Sequence, residues 1–307
     1  MASIKVSQEV TEVLNKLVEV VSKDREVSLQ LQPTEKLLND MQSILVELKN
    51  RVSAQTTKSL HELPVGAKVL DKYSKYYGAP VVWLVADQGF YKENLTTLLS
   101  ERILTFKAFD AAEPNNPVEY RSEYGNNEYK VSNIHQWLNS DKAEWFKPLH
   151  DYDQAPTEDY VYSRPYADER GFLDSFSPVF KQHLVDTQLE DLMAKVFLLS
   201  ASEVGLSNKG RALKLFDDNE AFRKAKPTTE CVQIDDEGSA DEPDWWWLRT
   251  PHAGNSDNVR SVNSSGALSN GNAYNGSHGV RPALNLPSEI RVKAEPDANG
   301  IYEIVWS

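Results

Sequence analysis

Three consecutive tryptophans, Trp245-Trp246-Trp247, constrain this chain more than any other feature. Neighbouring side chains on a strand point to opposite faces, so three adjacent indoles cannot share one side. An apolar load of this size has to anchor a core strand, with at least one indole turned outward. The chain of 307 residues, 40% apolar and 10% aromatic, can supply the rest of such a core and is long enough for about two units.

Directly after the tryptophans the composition inverts. From Pro251 to Pro282, 17 of 32 residues are Asn, Ser or Gly, and Lys, Glu, Gln, Met and Trp are absent. Val259, Val262, Leu268 and Val280 nevertheless fall at strand-interior positions around the turn signal Asn263-Ser264-Ser265-Gly266, which predicts a hairpin and loops on a rigid platform. A surface of Asn, Ser, Gly and Tyr has the chemistry of an antibody paratope: adaptable hydrogen bonds, little side-chain entropy to lose and an occasional aromatic anchor. This reads as binding; the competing reading is a polar loop pack with no ligand.

Other functions find little support. With 33 basic and 46 acidic residues the net charge is −13, which excludes long-range attraction to nucleic acid or an anionic membrane. No apolar run has the length of a membrane-spanning helix, and residues 1–8 lack the order of a signal peptide. The single cysteine, Cys231, rules out an internal disulfide and reads as a packed thiol. The six histidines show no zinc spacing, and phosphate-loop, dinucleotide and nucleophile-elbow motifs are missing. No metal or cofactor is expected. Residues 235–244 hold six carboxylates without EF-hand spacing, so a solvated loop is preferred to a calcium loop. Glu113-Pro114-Asn115, a tripeptide that supplies calcium and sugar ligands in animal C-type lectins, lies far from the tryptophans and reads as a turn.

The remaining pattern is α+β. Residues 4–54 contain no aromatic residue and two apolar stripes at helical spacing, broken at Pro33-Thr34-Glu35. These two helices would pair with each other or with copies in other subunits, or fold back on the following domain. Residues 81–85, 103–106 and 196–199 read as strands, residues 132–139 as a helix capped by Ser132, and residues 175–184 as a second amphipathic helix.

Several segments carry a family resemblance. Trp246-Trp247-Leu248-Arg249-Thr250-Pro251, Val259-Arg260-Ser261-Val262, Ser265-Gly266-Ala267-Leu268 and Gly279-Val280-Arg281-Pro282-Ala283-Leu284-Asn285-Leu286 resemble the C-terminal signature of diversity-generating retroelement variable proteins with a C-type lectin fold, of the kind found in gut bacteria and their phages. Upstream, Phe106-Lys107-Ala108-Phe109-Asp110-Ala111, Tyr124-Gly125-Asn126-Asn127 and residues 132–139 are similar to the same family. The resemblance covers about residues 60 to 305.

The N-terminal helices lie outside it and read, from their stripes alone, as a coiled-coil-like oligomerisation or attachment module at 1–57; the resemblance implies a C-type lectin-like domain at 58–307, with a variable region at about 251–282. In such proteins, errors of reverse transcription at template adenines rewrite chosen codons; the residue types permitted there exclude the five missing from this segment. The positions implied as diversified are His252, Gly254, Asn255, Ser256, Asp257, Asn258, Asn263, Asn270, Gly271, Asn272 and Ser277. Trp245, Trp246, Trp247, Val259, Arg260, Val262, Leu268 and Arg281 would be scaffold. The implied function is non-enzymatic recognition of a protein or glycan on a cell surface, by a homo-oligomer joined through the N-terminal helices and carried on a virion, as part of a phage tail, or otherwise cytoplasmic. Multivalency would strengthen weak single sites. The alternatives are an enzyme of the related formylglycine-generating type, whose chemistry requires a cysteine pair, and a structural virion protein that is not diversified.

Overall fold

Leu95–Ser100 is buried at every position, and Val81 to Ala86 is buried at all but one. Strands with so few solvent-facing positions must be covered on both sides, and they form the middle of an extended sheet. In the computed structural model, residues 56–306 are described without a break, together with Lys16, Asp40, Ser43 and Ile44. The chain divides into two units, Met1–Thr57 and Lys58–Ser307. The helices expected in residues 4–54, and the oligomer contacts assigned to them, lie outside the described residues.

The architecture is mixed α+β and rich in sheet. One eight-stranded sheet runs in the order β1 (Thr57–Ser59), β14 (Arg291–Lys293), β15 (Ile301–Val305), β2 (Lys68–Tyr76), β3 (Ala79–Gln88), β4 (Leu95–Ser100), β13 (Ala283–Pro287), β8 (Val196–Phe197). β15 lies parallel to β2, which brings the last strand against the beginning of the domain. A second sheet of five strands runs β11 (Leu268–Asn272), β10 (Asn258–Val262), β9 (Trp246–Pro251), β12 (Gly279–Val280), β5 (Thr105–Phe106). A two-stranded ribbon joins β6 (Thr187–Gln188) to β7 (Met193–Ala194). Five short α-helices occur among the described residues: α1 (Glu119–Tyr124), α2 (Asn133–Leu138), α3 (Pro178–His183), α4 (Lys214–Asp218) and α5 (Thr229–Asp235).

Helix α2 starts where its sequence directs, with the Ser132 hydroxyl accepting the His135 N–H at 3.3 Å. The helix expected over 175–184 begins later, at Pro178. Ser177 caps it by accepting the Phe180 N–H, Pro178 occupies the first turn, and Phe172–Ser175 forms a separate 3-10 turn. The expected strands at 103–106 and 196–199 shorten to Thr105–Phe106 and Val196–Phe197. Ile103 makes only an isolated bridge to Pro227, and Leu198 and Leu199 bond side chains and β9 instead of extending a ladder.

The tryptophan strand is the spine of the smaller sheet. Trp246 and Trp247, on opposite faces of β9, are both fully buried, whereas Trp245 is half-buried. Each buried indole removes on the order of 200 Å² from water, which stabilises by about 5 kcal/mol. Neither N–H is left unpaired: Trp246 donates to the Arg223 carbonyl at 2.9 Å and Trp247 to the Lys107 carbonyl at 2.8 Å. Arg281 lies over Trp246 and donates to the carbonyls of Ser100 and Phe222, tying the two sheets together. Arg249 is held between Glu190 and Glu203 and also donates to the Leu198 carbonyl, which fixes β9 to the 198–203 segment.

Candidate functional site

The loop between β9 and β10, residues 252–257, is held by its main chain. Asn127, buried at 4% exposure, donates its side-chain N–H groups to the carbonyls of Asn255 (2.6 Å) and Asn258 (2.9 Å), with a longer contact to His252 (3.4 Å). Its own backbone N–H donates to the Ser256 carbonyl at 3.1 Å. Within the loop the His252 N–H reaches the Asn258 carbonyl at 2.9 Å, and the Gly254 N–H reaches His252 Nδ1 at 3.1 Å. Gly254 and Asn255 are exposed and Ser256 is half-exposed.

A buried network of acids and amides positions Asn127. Gly125 adopts φ +80°, and a Cβ there would lie 2.7 Å from the Asp110 carbonyl oxygen, so only glycine lets the chain pass. Next to it, the Asn126 N–H donates to Asp110 and its side chain donates to Glu113. Asp110 also accepts the Asn133 N–H at 2.9 Å. Burial pushes the Asp110 carboxyl well above its ordinary range, opposed by these backbone donors. Glu113-Pro114-Asn115 forms the turn read from its sequence, closed by the Asn116 N–H on the Glu113 carbonyl, with Asn115 at φ 71°. The Glu113 carboxylate faces inward onto this network and is fully buried.

Strand alternation sorts the hairpin. Asn258 faces Asn272, and Arg260 faces Asn270, across the β10–β11 pair. On this face the Asn258 side-chain Oδ1 accepts from the Asn270 side-chain amide at 2.8 Å, and the Asn258 Nδ2 donates to Asn272 Oδ1 at 3.3 Å. The opposite face carries Val259, Ser261, Ser269 and Gly271 in register with Trp247. There, His278 stacks on Trp247 with ring centroids 4.0 Å apart, and a Cβ on Gly271 would sit 2.7 Å from the imidazole and 3.1 Å from the indole. Burial lowers the His278 imidazole to about 4 and leaves it neutral.

His252, Gly254, Asn255, Ser256, Asn258, Asn270 and Asn272 therefore share one surface. Four other positions expected to vary stand differently. Asp257 is 2% exposed, so it is part of the support. Gly271 is confined by the His278–Trp247 stack. Asn263 sits at the hairpin tip, five residues or about 17 Å from Asn258, where its side chain accepts from the N–H groups of Ser265 and Ala267. Ser277 lies beside Arg164, whose guanidinium donates to its hydroxyl at 3.3 Å.

Among the expected scaffold residues, Val259, Val262, Trp246, Trp247 and Arg281 are buried, and Trp245 and Leu268 are half-buried. Arg260 departs from that set. It is half-exposed on the asparagine face and, among the described residues, has neither an ion pair nor a hydrogen bond.

Three tyrosines border the surface and were not among the residues expected there. Tyr274 packs edge-on against Tyr124 at 5.4 Å and tilted against Tyr162 at 5.9 Å; Tyr162 is 70% exposed. Main-chain bonds link all three, from the Tyr274 N–H to the Tyr124 carbonyl and from the Tyr162 N–H to the Tyr274 carbonyl. The acidic stretch at 235–244 is more anchored than a free loop. Asp235 accepts from Thr105, Phe106 and Tyr77, and Glu237 pairs with Arg164. Cys231 is buried against Asp235, and burial raises its thiol far above its ordinary value. No group of three or more His, Cys, Asp or Glu able to hold a metal ion occurs among the described residues. No described helix is long and apolar enough to cross a membrane.

The fold and this surface define a sheet-rich α+β protein presenting a hairpin of small polar residues on a tryptophan-anchored support. Residues 93–288 match the model described as Domain of unknown function (DUF6273), and the chain belongs to that family. The matched span contains the Asn127 network, β9 and the whole hairpin. No curated protein and no solved structure matches the chain.

Proposed function

We propose that this chain is a non-enzymatic recognition protein whose hairpin face and adjoining loop are rewritten by a diversity-generating retroelement, on a C-type lectin-like domain. Its target is a protein or glycan on a cell surface, and its carrier is a phage tail, with copies joined through the N-terminal segment. One observation carries this reading: the 252–257 loop is fixed through its carbonyls by Asn127. A loop held by its main chain keeps its course when side chains change, which is what a mutable surface needs. The residues gathered there are Asn, Ser, Gly and His, with tyrosines alongside to act as anchors.

The test is genomic. The reading predicts a near-copy of codons 251–282 beside a reverse transcriptase gene, differing at template adenines. The differences should fall at His252, Gly254, Asn255, Ser256, Asn258, Asn270 and Asn272 and spare Asp257, Gly271 and the tryptophans. If no copy exists, or if its differences scatter over Trp246, Trp247 and Arg281, diversification is refuted.

A further inference from the structure

Strand β11 is the outermost strand of the five-stranded sheet, and the phase of its hydrogen bonds can be read from its ends. The Ala273 N–H donates to the Asp257 carbonyl at 2.8 Å, and the Asn263 N–H to the Ala267 carbonyl at 2.9 Å. In an antiparallel ladder this makes Val259–Gly271 and Ser261–Ser269 the bonded pairs. Leu268, Asn270 and Asn272 therefore turn their main-chain groups away from β10. The opposite residue Asn258 agrees, since its carbonyl accepts from His252 on the β9 side. Among the described residues, only the Asn272 carbonyl has a partner on the outer side, the Asn275 N–H.

Two other outer strands, β5 and β8, are closed by side chains. On β5, the Phe106 N–H is taken by Asp235 at 2.7 Å. On β8, Asn139 bonds both the N–H and the carbonyl of Val196. Among the described residues the edge of β11 has no such cap, proline or charged guard, although exposed edges invite pairing and are ordinarily blocked. On the adjacent strand stands Arg260, a cation whose side chain is unpaired among the described residues, in a chain of net charge −13.

We infer that β11 receives an extended acidic segment of a protein partner as an added strand, with main-chain bonds at Leu268, Asn270 and Asn272 and a carboxylate of the segment on Arg260. Backbone pairing supplies affinity that is indifferent to side chains, and the guanidinium supplies register and charge selection. An added strand lies two strands from β10, about 10 Å away, a gap that a glutamate and an arginine close together over Asn270. The inference rests on the recognition reading and names its target as a protein segment.

The test uses the full chain, a display library of random linear peptides as probe, and three variants. Enriched peptides should alternate apolar with polar residues and carry an acid. Asn270→Pro removes an outward N–H and no ladder bond, so it should weaken these peptides by about tenfold or more while leaving the unfolding midpoint in place. Asn270→Ala keeps the N–H and should change binding by less than about threefold. Arg260→Glu should lose the acidic peptides and select basic ones. The amides of Leu268, Asn270 and Asn272 should exchange quickly in the free protein and slowly with peptide bound, a readout that stands even if the proline variant misfolds.

The inference is overturned if no peptide is enriched, if peptides bind Asn270→Pro as well as the parent, or if the three amides are already protected because β11 of a second copy occupies the edge. Changed target choice on altering the asparagine face, without edge binding, would sink this inference and leave the display reading intact. Unfolding on that alteration would sink the display reading instead.

Discussion

The two faces of the β10–β11 hairpin differ in packing, yet they alternate residue by residue. On one face a side chain at Gly271 would run into the His278 imidazole and the Trp247 indole, and Val259 is fully buried. On the other, Asn258, Asn270 and Asn272 bond mainly to one another, and Arg260 bonds to nothing described. Tolerance of change is thus set by the direction of each side chain, not by membership of an Asn- and Ser-rich stretch. Neighbours one residue apart should respond to substitution in opposite ways.

The sharpest break in this contrast is Trp247→Ala, which removes an indole from the closed face and orphans the Lys107 carbonyl. A loss of about 4 kcal/mol is expected in urea unfolding. Asn127→Ala comes next. It removes the donors to the loop carbonyls and should cost roughly 3 kcal/mol, with hydrogen exchange rising across residues 252–258 before it rises elsewhere. Gly271→Val forces a side chain into the imidazole–indole stack, for a loss of about 2 kcal/mol, whereas Asn270→Val across the same strand should be nearly silent.

His278 gives the closed face a pH signature. Its folded-state value of about 4 lies below the ordinary 6.5, so its contribution is complete above pH 6.5 and shrinks as pH falls toward 4. Compared with His278→Phe over the same titration, the parent should lose roughly 2 kcal/mol by about pH 5. A constant difference between the two proteins would mean that the imidazole can reach water. The smallest effects belong to the open face: Asn258→Ser, Asn270→Ser and Asn272→Ser should each shift stability by less than about 0.5 kcal/mol.

Much of this was legible in the sequence where local chemistry decides. The Ser132 cap, the burial of the tryptophans and the placement of Val259 and Val262 inside a strand follow from capping preference, size and β-branching. What escaped depends on distant partners. Asn127 stands in a Gly-Asn-Asn run that marks a turn, but its acceptors lie more than a hundred residues later in the loop it clamps. Asp257 and Gly271 look as variable as their neighbours because composition does not register a strand's phase. Arg260, between Val259 and Ser261 in a strand that ends on Val262, looks like scaffold until the register sets it opposite Asn270. The helix expected over 175–184 is present but starts later, at Pro178, for a local reason: Ser177-Pro178 is a stronger start than Ser175.

The most direct test of a fixed support beneath a changeable face is to replace His252, Gly254, Asn255, Ser256, Asn258, Asn270 and Asn272 together with an unrelated set of small polar residues and tyrosines, then follow urea unfolding. The unfolding free energy should stay within about 1 kcal/mol of the parent at an unchanged slope, with the Asp257, Gly271 and Trp247 environments unchanged by hydrogen exchange. A fall to the stability of Trp247→Ala, or a loss of cooperativity, would show that the face and its support are one structure, and the account would be wrong.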